Sequence, residues 1–153
     1  MTSLFPETRR SLTIEITARI PTTTHQSKQI ITFRPKGRAP ISSIANTPNL
    51  NEAIAQWDRI LAPHAPGSPL KGAIRLSCVF TFPWRETEPG KNRVPEGILH
   101  TSRPDLSNLI KTMEDRLQEL GYVEDDARIA QYGEVTKLWG DHPGLRLTLE
   151  EIG

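Results

Sequence analysis

Residues 12–20, Leu-Thr-Ile-Glu-Ile-Thr-Ala-Arg-Ile, alternate apolar and polar positions with a period of two. Leu12, Ile14, Ile16, Ala18 and Ile20 share one face, which predicts a strand buried on one side. A second strand is expected over residues 29–33, leaving through the basic turn at 34–38. From Pro48 the period changes. Leu50, Ile54, Trp57 and Leu61 recur at helical spacing, so an amphipathic helix is predicted, capped by Asn49 or Asn51 and ended by Pro63 and Pro66. Strict alternation returns over residues 73–82, the longest strand pattern in the chain and therefore the one expected at the sheet's centre.

The next segment breaks both periods. Residues 83–104 hold four prolines, two glycines and the cations Arg85, Lys91, Arg93 and Arg103, which predicts a long, mobile, basic loop. A second helix follows, with Asp105 or Ser107 as its cap and Leu106, Leu109, Ile110, Met113, Leu117 and Leu120 as its buried stripe. Gly121 ends it, and Glu124-Asp125-Asp126 forms an acidic turn. Two strands are expected beyond the turn: residues 128–139, interrupted at Gly133, and residues 145–149, closing the sheet.

Composition narrows the class. The length of 153 residues suits one domain spanning 1–153, and 36% hydrophobic with 24% charged residues is the balance of a globular chain. No apolar run is long enough to cross a membrane and no leader is evident, so the expected compartment is the cytoplasm. The lone Cys78 excludes an intrachain disulfide and a cysteine zinc site, and the four histidines lack ligand spacing. The net charge of +1 conceals an asymmetry: residues 1–104 carry 14 Lys/Arg against 7 Asp/Glu, whereas residues 105–153 carry 5 against 11. A chain that hydrolyses nucleic acid needs both a basic surface and an acidic pocket, although segregated surface charge alone is compatible with no function.

The acidic helix concentrates the chemistry. Ser107, Lys111 and Asp115 stack at i, i+4 and i+8, Asp105 and Asn108 lie at the helix start, and the chain after Gly121 is long enough to fold back beside them. If they meet, Asp105 and Asp126 can ligate Mg²⁺ through oxygen, and Lys111 can meet a phosphate or leaving oxygen. The alternative is an ordinary capped helix with solvated acids and a Lys111–Asp115 salt bridge.

The spacing Pro104-Asp105-x-x-Asn108-x-x-Lys111, then Asp115, then Asp125-Asp126 after Gly121-Tyr122, then a strand carrying Lys137, resembles the RusA-type Holliday junction resolvases. The resemblance covers about residues 70–140 and includes Phe80-Thr81-Phe82-Pro83 before a variable loop. It implies an α+β domain, a mixed β-sheet with two main helices packed on one face, working as a homodimer. It also implies a Mg²⁺-dependent endonuclease, with Mn²⁺ as a substitute, that cuts four-way junction DNA symmetrically in recombination and repair, in a bacterial host and encoded by a phage or prophage. On this reading Asp105, Asp126, Lys111, Asp125 and Asp115 are catalytic, and Asp105, Asp126 and Asp125 hold the metal. Arg85, Lys91, Arg93, Arg103, Asn108 and Lys137 meet DNA. One position departs: a usual family aspartate falls on Ser107, a weak neutral ligand. Either Asp115 or Glu114 compensates, or the protein is a catalytically weakened junction binder.

Overall fold

A computed structural model describes residues 8–153. Its main sheet has five strands in the order β1-β7-β4-β6-β5. These are β1 (Ser11–Thr17), β4 (Ile74–Pro83), β5 (Ile98–Leu99), β6 (Ile129–Gly140) and β7 (Gly144–Glu151). β4 is central, antiparallel to β7 and parallel to β6. A parallel pair needs a crossover, and helix α2 (Leu106–Glu119) lies within it. The smaller sheet is an antiparallel hairpin of β2 (Lys28–Phe33) and β3 (Ile41–Asn46), after which helix α1 (Pro48–Leu61) begins.

Alternation in β4 buries Ile74, Leu76, Cys78, Phe80 and Phe82. They pack with Trp57 and Leu61 of α1 and Leu109, Met113 and Leu117 of α2, so both helices share one core beside the sheet. Trp57 meets Phe80 edge to face at 6.3 Å. The reverse side of the sheet is polar: Thr13 pairs with Thr148, and Arg75 reaches Gln131 and Glu150. This is the expected α+β fold, a mixed sheet with two helices.

The structure corrects several local expectations. Thr47, one residue before Pro48, caps α1, its hydroxyl accepting from Leu50 N at 3.2 Å. The strand expected to close the sheet, β7, lies inside it between β1 and β4. The segment 83–104 contains a 3₁₀ turn at Gly90–Asn92 and the edge strand β5. β6 runs without a break through Gly133, where a Cβ would fall 2.2 Å from Ser77 Oγ, beside a register slip between Leu76 and Cys78. Glycine is there because the neighbouring strand comes too close, not because the strand ends.

Candidate active site

Helix α2 presents its first turn and one flank to the site. Asp105 is its N-cap residue, but the side chain makes no capping hydrogen bond, which leaves the exposed carboxylate available. Among the described residues its one side-chain hydrogen bond is from the Asn108 amide at 3.5 Å. Further along the helix, the stacked row delivers the expected i, i+4 pair, with Lys111 Nζ 3.1 Å from Asp115.

The fold-back after the helix is built by glycine and tyrosine. Gly121 adopts a left-handed conformation, φ 81°, which an L side chain resists. Its N–H returns to Gln118 O and the Tyr122 N–H to Leu117 O, closing the last turn. Tyr122 is buried, its hydroxyl donating to Leu61 O, while its own carbonyl accepts from Leu70 N. So anchored, the chain brings Asp126 to Lys111, with Nζ to Oδ2 at 3.0 Å across fifteen residues. The backbone N–H of Asp126 donates to the Gln118 side chain at 2.9 Å, and the Asp125 carboxylate caps the short turn by accepting from Ala127 N.

Lys111 thus sits between two carboxylates. Asp126 first and Asp115 second hold its pKa well above the ordinary lysine range, so the ammonium is a fixed charge at any working pH. The same contact lowers the pKa of Asp126 and keeps it ionised. Glu114 turns the other way, under the helix, where Tyr132 on β6 donates to it; burial raises its pKa. Of the two acids that could replace the missing aspartate, Glu114 faces the sheet and Asp115 is engaged with Lys111.

The residues expected to meet DNA are held in different ways. Lys137 is buried; its ammonium donates to the carbonyls of Ser102 and Pro104 at 2.5 and 2.6 Å and braces the chain leading into Asp105. Two of its three N–H donors are thereby committed to backbone, and it lines the same open groove as Asp105. Arg85 pairs with the buried Glu88 at 2.8 Å and stands 5.3 Å over the Trp139 ring, while Arg93 donates to the carbonyls of Glu88 and Arg85. These two arginines first of all order their own loop. Lys91 and Arg103 are exposed, and Arg103 lines an open groove of about 600 Å³ that also takes in Asp105.

Reading the sequence missed Gln118, Tyr122 and Lys137 as positioning residues. Gln118 carried a signal, since it lies seven residues, two turns, beyond Lys111 on the same flank. Lys137 stood out only through the family resemblance, and nothing in its sequence neighbourhood shows that it holds backbone carbonyls.

An α+β sheet that brings a fixed ammonium and the carboxylates of Asp115 and Asp126 together on one flank of a helix, with Asp105 at the start of that helix beside an open groove, has the form of a phosphodiester-cleaving nuclease. The family model for endodeoxyribonuclease RusA matches residues 31–150, and the chain belongs to that family. It is an endodeoxyribonuclease, a phosphodiester hydrolase of the Holliday junction-resolving kind, and such resolvases are typically metal-dependent. No curated protein matches the sequence. Among the described residues no helix is long and apolar enough to cross a membrane.

Proposed function

We propose that this chain is a Mg²⁺-dependent resolvase that cuts four-way junctions as a homodimer, with Asp105 and Asp126, and Asp125 beside them, as the acids and Lys111 as the fixed cation. The observation that carries this reading is the Lys111–Asp126 contact, which joins the helix row to the acidic turn. Donor chemistry fits the ion: the candidates are carboxylate oxygens, which a hard cation prefers. Among the described residues no three His, Cys, Asp or Glu side chains form a cage, but Mg²⁺ needs only one or two carboxylates plus water and phosphate. When bound, it would neutralise charge on the scissile phosphate and acidify a water.

The chain's own residues supply the rest. Asp126 beside Lys111 and Asp105 at the start of the same helix would confine where a phosphate can approach. Asp115 holds Lys111 from one side, so that the ammonium offers its free face to developing oxyanion charge. Lys137 fixes the carbonyls before Asp105 and Gln118 fixes the backbone of Asp126, which limits reorganisation during the reaction. Lys91, Arg103 and Asn108 are the side chains left to meet DNA. Two copies, each with one site, match the two-fold symmetry of a four-way junction.

A second reading is favoured by Ser107 and by the engagement of both spare acids: a catalytically weakened protein that binds junctions without cutting them well. The test is one assay. Purified protein is expected to nick a synthetic four-way junction in Mg²⁺, not in EDTA, and to leave a matched linear duplex intact. Junctions shifted in a gel yet uncut across Mg²⁺ and Mn²⁺ series would establish the second reading instead.

A further inference from the structure

A cavity of about 190 Å³ opens beside the candidate active site and has no part in the roles assigned so far. It lies where the parallel strands β4 and β6 end, with Phe82 and Trp139 as register partners on its floor and Arg19 and Thr22 reaching it from the segment after β1. Two of its lining residues, His100 and Arg103, also line the open groove that takes in Asp105. Cavity and groove therefore adjoin.

The walls are aromatic. The His100 ring stacks on Trp139 at 3.6 Å, and Phe82 meets the two rings edge to face at 5.0 and 6.4 Å. The rim is made of donors. Ser102 N–H donates to His100 Nδ1 at 3.2 Å, which assigns the ring's own proton to Nε2. Among the described residues the one fully buried side-chain polar atom left without a partner is Trp57 Nε1, so His100 Nε2–H, which has none either, points into open space that its ring lines. Arg19 and Arg103 are exposed, and the ion pairs of the described residues involve other arginines.

Chemistry selects the occupant. An aliphatic chain would leave the donors unused, and a free phosphate would leave the rings unused. A flat ring that bears acceptors and belongs to a polyanion uses both, since nucleobases stack on aromatic and guanidinium planes. The volume, below the ~300 Å³ at which sites for drug-sized ligands begin, admits one such ring system. We infer that the cavity receives a single unstacked nucleobase from the strand lying in the groove, beside the phosphate that faces Asp105. This step rests on the resolvase reading, which brings a DNA strand to that groove. A branch point supplies such a base at low cost, because pairing and stacking are already interrupted there. Arg19, Thr22 and His100 then help decide which nucleotide stands at the cut.

The test is an abasic scan of a synthetic four-way junction, in which the nucleotides around the branch point lose their bases one at a time. Binding is read by fluorescence anisotropy in EDTA at one fixed salt concentration, so that cutting plays no part. Wild type should lose about 10-fold in affinity at one position and little at its neighbours, the size of one base–aromatic stack. Thr22→Phe, which fills the cavity from its exposed mouth, should weaken binding of the intact junction by about the same factor and erase the step in the scan. Arg19→Ala, outside the core, should shrink the step with an unchanged melting profile. A flat wild-type scan, or a step retained in both folded variants, would overturn the inference. So would an Arg19→Ala loss that is uniform across positions, which is the mark of a phosphate contact. A junction bound with the step yet left whole in Mg²⁺ would sink the resolvase reading alone. Cutting with a flat scan would sink this inference alone, and a wild type that binds no junction would sink both.

Discussion

The acidic corner around Lys111 and the hairpin Lys28–Asn46 are opposites. One gathers charge at the end of a helix and answers part of it internally, through a lysine between two aspartates. The other gathers apolar side chains with no internal answer. Among the described residues each surface is left unmatched in its own way, charge at the first and apolar area at the second. Electrostatic and hydrophobic debts are settled by different partners, so the two regions should respond to different experiments.

The largest effect should come from the corner. Asp126→Asn is expected to lower junction cutting by about 1,000-fold while dimerisation and junction binding persist. An equal loss of binding would mean that the carboxylate shapes the surface, not the chemistry. Lys111→Met should lower cutting by about 100-fold, with stability changed by no more than about 1 kcal/mol, because the ammonium and its partners are partly exposed. A large drop in melting temperature would make the lysine structural.

Smaller effects sharpen the contrast. Ser107→Asp should raise cutting about 10-fold if the site is degenerate, and barely change it if Asp115 already compensates. Charge reversal of Lys91 alone should flatten the salt dependence of binding by about one phosphate. Reversal of Arg85 or Arg93 should loosen the loop as well, seen as faster proteolysis between residues 85 and 93, since both are committed to contacts there. An identical response from all three would refute that division.

The smallest effect concerns acid. His100 is buried and stacked 3.6 Å from Trp139, and burial lowers its pKa from 6.5 to about 4. The folded protein therefore holds this ring neutral while the unfolded chain protonates it. Stability is fully present above pH 6.5 and declines as pH falls towards 4, by roughly 1–3 kcal/mol. Urea titration of His100→Gln should lack that slope between pH 6.5 and 4.

The sequence made the corner far more legible than the hairpin. Helix periodicity places Lys111 and Asp115 on one row, and Gly121 announces the turn that returns Asp126 to them. Local rules suffice there because partners lie within one helix and its exit. Ser42, Ser43 and Asn46 gave β3 no strand signature, and a strand so exposed lacks the alternation that burial imposes. The two-residue β5 was hidden for another reason: it exists only because β6 offers an edge at Leu138 and Trp139. Lys137 illustrates the same limit, since what it holds lies more than thirty residues away.

That lysine has a mechanical consequence. Asp105 follows the very carbonyls that Lys137 grips, and Asp126 belongs to the short turn Asp126–Arg128 that runs directly into β6. Asp126 is also held from α2, by the Lys111 ammonium and the Gln118 side chain, and Asp105 begins that helix, so α2 and β6 together set where the two acids stand. Trimming the core under that helix, for instance Leu117→Ala, should lower the melting temperature and the cutting rate of the folded protein together; an unchanged rate in the folded fraction would leave β6 alone as the ruler.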